Sequence, residues 1–434
     1  MNPRYQALQP VVVTGLGWAT CLGTDRSSVS NRLRRMEHGI RPFPPFEDPK
    51  IPIALAAPVE GFNTDSADQE DWTYPASLKL RLEQLRGLAP HGIYAAYAVQ
   101  QAIEEAKLDA DQVSNPRTGL FAASAGSTMM VHHHMTRMDR FGPMRCSPLG
   151  IVASIAGTLN FNLCALHRIR GASTGFVSAC ASSGHALGYA FEEIALGRQD
   201  RMIVVGAEDC NRETIAPFAG MRVLSRQTDP DLASRPFDQG RDGFVGTGGA
   251  VAMVLESREA AAARGAPELA EIHGWGQATD GFHVAAPHPD GDGLRRAMEM
   301  ALARAEVTPG QIDYVNAHAT STPVGDAAEC KALKAIFGTA HGPSISSTKA
   351  LTGHGLSLSS IMETAFCVLA LNEGFMPGSA HISQLDAEAE GLDIIRQTKD
   401  AQPNLVLTNS SGFGGANVCL VLGRGKTNHA ALLS

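Results

Sequence analysis

Two short segments of this chain echo one another across its length. Gly15-Leu16-Gly17-Trp18-Ala19-Thr20 follows the apolar run Val11 to Val13, and Gly274-Trp275-Gly276-Gln277-Ala278-Thr279 again follows a short apolar stretch. A second pair keeps the same order. Ala102 to Leu108 with Gln112-Val113 downstream resembles Ala301 to Val307 with Gln311-Ile312. Similarity repeated in a fixed order is the mark of a duplicated unit. The chain therefore reads as two similarly folded halves, residues 1–260 and 261–434, joined near Ser257 to Pro267, with longer insertions in the first half. At 434 residues the chain exceeds one average domain, and duplication accounts for that length.

Each half alternates short β-rich runs with helical stretches, the pattern of an α/β fold with parallel strands. Val11 to Thr14 and Thr118 to Ala123 read as strands, and Tyr94 to Lys107 and Glu259 to Arg264 as helices. The composition suits a large core and excludes a disordered tail, with 44% hydrophobic and 18% charged residues. A formal net charge of -8 supplies no general attraction for nucleic acid. Eight cysteines stand apart with no C-x-x-C pair, which fits a reducing compartment. No apolar run approaches the roughly 18 to 20 residues needed to span a bilayer, so a soluble, cytoplasmic protein is expected.

The stretch Thr174 to Leu187 carries the strongest chemical signal. Its first part reads as a strand, its second as an amphipathic helix closing at Gly197, and Met202 to Val205 as the next strand. Cys180 falls at the turn among small neighbours. Exposed amides and the helix dipole there favour a thiolate, the form in which cysteine is a nucleophile. Just upstream, Gly171-Ala-Ser173-Thr-Gly175 matches the hydrolase pattern G-x-S-x-G, but the strand follows the serine instead of preceding it.

In the second half, a strand from Ile312 delivers His318 into a polar turn with Thr320 and Thr322, closed by Pro323. Ile345 to His354 places Lys349 and a second histidine, His354, before a helix whose start is marked by the capping pattern Ser360-Ile-Met-Glu363. Lys349 in this small-residue turn fits structural pairing and catalysis equally. Strands at Leu405 to Thr408 and Val418 to Leu422 flank the loop Asn409 to Asn417. Its glycines suit either backbone N–H groups aimed at an oxyanion or an ordinary hairpin. Neither this loop nor Gly243 to Gly249 is a phosphate loop, because a strand and not a helix follows. The run His132-His133-His134 lacks partners at ligand spacing and is expected in a solvent-facing loop.

Taken together, Ser178-Ala-Cys180-Ala-Ser-Ser, Arg235 to Val245, Asn316-Ala-His318-Ala-Thr-Ser-Thr-Pro-Val-Gly-Asp326, Ser347-Thr-Lys349-Ala-Leu-Thr-Gly-His354 and Gly412-Phe-Gly-Gly resemble the elongating β-ketoacyl-acyl carrier protein synthases. The match runs nearly end to end and looks closer to the synthase I branch. It implies a thiolase-like α/β fold of two pseudo-symmetric βαβαβαββ-type halves in a layered αβαβα architecture. The implied enzyme is an acyltransferase catalysing decarboxylative Claisen condensation, in fatty acid or specialised type II polyketide or polyene synthesis. Cys180 takes the acyl chain from the phosphopantetheine of an acyl carrier protein, with the backbone N–H groups of Cys180 and Phe413 as oxyanion hole. His318 and His354 assist decarboxylation of malonyl-carrier protein. Lys349 supports the electrostatics and pairs with Glu329, with Asp326 as further structural support. Thr320 and Thr322 hold the pantetheine arm.

No bound metal or redox cofactor is implied, and the partners are the carrier protein and a second subunit. That subunit is another copy or a chain-length factor. Phe218, Met221 and Phe244 are candidates for the acyl tunnel or for ordinary core. Lys79, Arg81, Arg86 and Arg145 are candidates for a basic carrier-docking patch or for scattered solvated charges. Ala319, Ser411 and Ser357 to Ser360 depart from the usual glycine, phenylalanine and Gly-Ala-Ala-Gly, which leaves the acyl chain undefined and points to a specialised substrate. A non-catalytic chain-length factor would lack the nucleophile, and a thiolase acting on coenzyme A esters fits the two histidines and Lys349 less well.

Overall fold

The computed structural model describes residues 8–425. Fourteen strands are present among them: β1 (Val11–Ala19), β2 (Arg41–Pro42), β3 (Leu55–Ala57), β4 (Thr118–Ala123), β5 (Ser173–Phe176), β6 (Arg201–Glu208) and β7 (Gly246–Thr247) come first. They are followed by β8 (Gly249–Ser257), β9 (Ala270–Thr279), β10 (Tyr314–Asn316), β11 (Ser344–Ser346), β12 (Asp393–Ile394), β13 (Leu405–Gly412) and β14 (Ala416–Arg424). Eleven strands form one sheet in the order β12-β11-β10-β13-β14-β9-β1-β8-β6-β4-β5, and β2, β3 and β7 form a small separate sheet.

The duplication is visible in the pairing. From β1 outward, β8 and β6 add antiparallel and β4 and β5 add parallel. From β9 outward, β14 and β13 add antiparallel and β10 and β11 add parallel. The two arrays meet where β1 pairs antiparallel with β9.

The echoed glycines explain how each half packs. Helix α1 (Pro90–Glu105) lies on β1 and helix α4 (Asp292–Ala305) lies on β9. A Cβ at Gly15 or Gly17 would collide with the α1 backbone at Ala102 and Ala98, and one at Gly274 or Gly276 with α4 at Ala301 and Ala297. Glycine permits this close approach of helix to strand, and small alanines complete it.

Two further helices, α3 (Ser182–Ala195) and α6 (Ser359–Glu373), form the middle layer. Both touch strands of each half, including β6 and β14, and they touch one another. This position accounts for the sequence of α6, in which every residue from Ser359 to Leu371 is buried. A helix apolar all round belongs between two layers. With the two arrays of the continuous sheet counted as separate layers, the order is helix, sheet, helix, sheet, helix, the αβαβα arrangement of the thiolase-like fold. No helix among the described residues is long and apolar enough to cross a membrane.

The histidine run departs from expectation. His132 to His134 lie within helix α2 (Thr128–Phe141), where Ser127 caps the N-terminus through the N–H of Met130. His134 is buried against Gly150, so helical periodicity, not solvation, sets the run apart.

Candidate active site

The duplicated topology brings matching positions of the two halves together. Cys180 stands between β5 and α3, and His354 stands between β11 and α6, so the N-terminal ends of both central helices converge on one point. Ala179 takes a left-handed conformation (φ 51°), turning the chain sharply before Cys180. Its small side chain limits the strain of that conformation. Gly353 (φ 71°) makes the corresponding turn before His354. The backbone of His354 is then clamped by the glycine-rich segment rejected as a phosphate loop: its N–H donates to the Val245 carbonyl at 2.7 Å, and its carbonyl accepts from Thr247 at 3.1 Å.

Cys180 Sγ lies 3.0 Å from His354 Nε2. The His354 Nδ1 is 2.9 Å from the Ser359 hydroxyl. The two imidazole rings of His318 and His354 stand edge to face with centroids 5.3 Å apart. Lys349 Nζ sits 3.2 Å from His318 Nδ1. An ammonium has only protons to offer, so it donates to Nδ1 and leaves the His318 proton on Nε2. The expected Lys349–Glu329 pair is not formed. Lys349 pairs instead with Glu363 of α6. Glu329, on helix α5 (Pro323–Phe337), accepts the N–H groups of His318 at 2.8 Å and Ala319 at 2.6 Å, and the Asn409 amide at 2.7 Å. It positions the His318 backbone. Glu363 does not cap its helix either: α6 begins at Ser359 with Leu358 at the cap, and the Ser360 hydroxyl reaches the Cys180 carbonyl at 3.3 Å.

Burial dominates the electrostatics. Cys180 is 8% exposed. Desolvation pushes its thiol up to about 12, against the pull of Lys349. The resting group is therefore a thiol, contrary to the expectation from turn and dipole, which assumed an exposed sulfur. Burial and the neighbouring Lys349 charge hold both His318 and His354 well below the usual imidazole range, so both are neutral near pH 7. Burial raises the Glu363 carboxyl to about 7 although Lys349 draws it down, and raises Glu329 to about 7. Asp326 rises to about 6 for the same reason, partly offset by Arg241 at 3.4 Å.

Sγ of Cys180 and nitrogens of the two histidines lie within 4.8 Å of one another, close enough for a metal ion. The Lys349 ammonium against His318 opposes a second cation there. His38, Asp231 and His381 form another such group. Its geometry suits hydrogen bonding better, because His38 Nδ1 accepts the Ile40 N–H and keeps its proton on Nε2, towards Asp231.

A cavity of about 530 Å³ opens onto Cys180 and both histidines. Phe218, Met221 and Phe244 line it, as do Thr320 and Thr322, whose hydroxyls are 3.0 Å apart. Phe244 stacks edge-on to His354 with centroids 5.1 Å apart. Phe413 lines it too, and Gly412 lets its loop reach Cys180: a Cβ there would stand 3.0 Å from the Cys180 amide nitrogen. Ser411 replaces bulk with a hydroxyl that donates to Asn417 at 2.7 Å, while Ala319 is buried behind His318. Lys79, Arg81, Arg86 and Arg145 are exposed but none lines the cavity, and Arg81 and Arg86 pair with Glu83 and Glu70. Exposed Arg222 does line it.

Sequence reasoning missed Arg222, Glu208, Ser359 and the true partner of Lys349. For Glu363 the signal was available: an acid in an otherwise apolar helix demands a buried cation.

A cysteine and two neutral histidines facing one cavity in this layered fold define a condensing enzyme. The β-ketoacyl synthase N-terminal domain family matches residues 8–261 and its C-terminal domain family residues 269–383. The chain is 36% identical to 3-oxoacyl-[acyl-carrier-protein] synthase 1 of Haemophilus influenzae, covering 96% of this chain and 99% of that protein. It is 35% identical to a 3-oxoacyl-[acyl-carrier-protein] synthase 2 of Rhizobium meliloti over the same shares, so both branches match nearly equally. A crystal structure of a β-ketoacyl synthase from Burkholderia phymatum superposes with a TM-score of 0.88 at 32% identity, covering 96% of this chain and all of that one. The ishigamide ketosynthase/chain length factor superposes at 0.86 with 29% identity and the same coverage. The chain belongs to the β-ketoacyl synthase family. It is an acyltransferase that joins an acyl unit to a malonyl-derived unit with loss of carbon dioxide.

Proposed function

We propose that Cys180 is the nucleophile that carries the growing acyl chain, delivered as a thioester on the phosphopantetheine of an acyl carrier protein. The observation that carries this reading is the 3.0 Å contact of Cys180 Sγ with His354 Nε2 at the cavity wall, with His318 alongside. A buried thiol needs a base. Its proton passes to Nε2 as Sγ attacks the thioester carbonyl, and then to the departing pantetheine sulfur. The oxyanion is held by the N–H groups of Cys180 and Phe413. When malonyl-carrier protein enters, the bond to its carboxylate breaks, carbon dioxide leaves, and the enolate oxygen accepts hydrogen bonds from Nε2–H of His318 and His354. The enolate carbon attacks the acyl carbonyl, Cys180 Sγ leaves as a thiolate, and a proton taken up from water restores the thiol. His354 serves both as acceptor and as donor because the Ser359 hydroxyl at Nδ1 donates or accepts, supporting either tautomer. Lys349 fixes the donor tautomer of His318. Thr320 and Thr322 line the channel for the pantetheine arm.

The chemistry is carried by these groups and by the carrier's phosphopantetheine. Arg222 at the cavity, with Lys79, Arg81, Arg86 and Arg145 further out, offers cations to an acidic carrier. Residues 1–260 and 261–434 are the two halves of one catalytic unit. The partner subunit is a second copy docking on β5, which ends the sheet and has one edge unpaired among the described residues. Exposed Phe161, on the helix that packs on β5, and Val177, which follows β5 in the chain, extend an apolar face. A chain-length factor on the same edge, as the composition of the ishigamide complex suggests, is the alternative occupant. Eight free cysteines suit work in the cytoplasm.

Intact-protein mass spectrometry with acyl-carrier proteins tests the assignment. The chain is expected to gain an acyl mass that Cys180→Ala abolishes. His318→Ala is expected to retain acylation but lower condensation by about 100-fold or more, whereas His354→Ala is expected to slow both acylation and condensation. An adduct on Cys180→Ala, or normal condensation by either histidine variant, refutes the corresponding role.

A further inference from the structure

The cavity beside Cys180 has an apolar wall of Phe218, Met221, Val223, Phe244 and Leu356, which Glu208 and Ser357 interrupt. Glu208 is the last residue of β6 and is fully buried. Its Oε1 accepts the Ala125 N–H at 3.0 Å and the Ser357 hydroxyl. Its Oε2 is buried and meets no donor among the described residues. Glu208 is near enough to Cys180 for its charge to resist ionisation of the thiol. An unpaired carboxyl oxygen is costly in an apolar wall, whether ionised or protonated, and a hydrogen-bonding group brought by whatever fills the cavity removes that cost. Ser357 cannot be that donor, since its proton is spent on Oε1. It holds the carboxylate in place with Oε2 free.

We propose that Glu208 and Ser357 form a polar subsite of the acyl-binding cavity that selects an acyl chain carrying a hydroxyl group, which pairs with Glu208 Oε2 by donating to the carboxylate or by accepting from the carboxylic acid. The proposal rests on the reading that Cys180 holds the acyl chain. A saturated chain puts a methylene against Oε2, and a ketone, which only accepts, can pair with the acid but not with the carboxylate, whereas a hydroxyl pairs with both. A site built to pair a substrate hydroxyl discriminates strongly against the analogue without one, because its own polar group is left unpaired.

The test compares saturated acyl-carrier proteins with chains of equal length bearing a hydroxyl at successive carbons, following acylation of the full-length protein by intact mass. One hydroxyl position is expected to raise kcat/KM by about tenfold or more over the saturated chain. Glu208→Leu presents neither a donor nor an acceptor to the chain and is expected to remove that preference. Equal rates for the saturated chain and every hydroxylated chain in the wild-type protein overturn the proposal, whether or not the variant folds. A preference that survives in folded Glu208→Leu overturns it as well. An acyl adduct on Cys180→Ala instead defeats the nucleophile assignment, a result that the wild-type preference does not affect.

Discussion

Glu208 illustrates how burial writes pH dependence into single residues. Its carboxyl is raised by desolvation to about 7, although Ser357 and Ala125 donate to it. The folded chain thus holds this proton more tightly than the unfolded chain, so the associated stability is complete below about 4.5 and is lost as pH rises through about 7. Glu208→Gln removes the titration. Thermal melting across pH 4.5 to 8 is expected to show the wild type losing up to a few kcal/mol relative to the variant between roughly pH 4.5 and 7, and no further difference above. Parallel curves would mean that Glu208 titrates near its ordinary value. The same physics separates what the residues disclosed from what they hid. Cys180, His318 and His354 were legible because each sits in a short motif at an element end. The thiol's protonation was not, since Cys180 is covered by α6 and the end of β13, which are remote in sequence.

At the scale of elements, the paired glycines are the clearest link from sequence to packing. Gly276→Ala places a methyl group against the α4 backbone at Ala297 and Ala301 and is expected to cost about 1 to 3 kcal/mol. Gly310→Ala, with open space around it, is expected to be close to neutral. Urea midpoints of the two variants check this contrast. Strands and helices were readable wherever period and glycine punctuation agreed, as at Thr118–Ala123 and at the helix that closes before Gly197. The His132 to His134 run misled because three polar residues in sequence look like a loop, whereas α2 turns His134 inward and leaves its neighbours outward. The capping reading of Ser360 to Glu363 failed for a related reason. In a helix buried on all sides, Glu363 gains more from the Lys349 ammonium than from a helix end.

At the scale of the whole molecule, the unpaired edge of β5 and the cavity are joined through Val177, which is 58% exposed yet lines the cavity. A partner docked on that edge would close the cavity. Val177→Asp is therefore expected to shift the protein towards monomer in analytical ultracentrifugation and to lower acylation by about tenfold, as water enters the acyl site. A monomeric wild type with full activity would remove the dimer from the proposal. The order of short motifs in the chain was enough to point to the repeated topology, to propose Cys180, His318 and His354 as the reacting groups, and to indicate the family to which the chain belongs, because these rest on local sequence. Tertiary structure decided the pairing of Lys349 with Glu363, the neutral state of Cys180 and the histidines, and the meeting of Glu208 and Ser357 at one cavity. Those outcomes depend on distance and desolvation between residues that only the layered fold brings together.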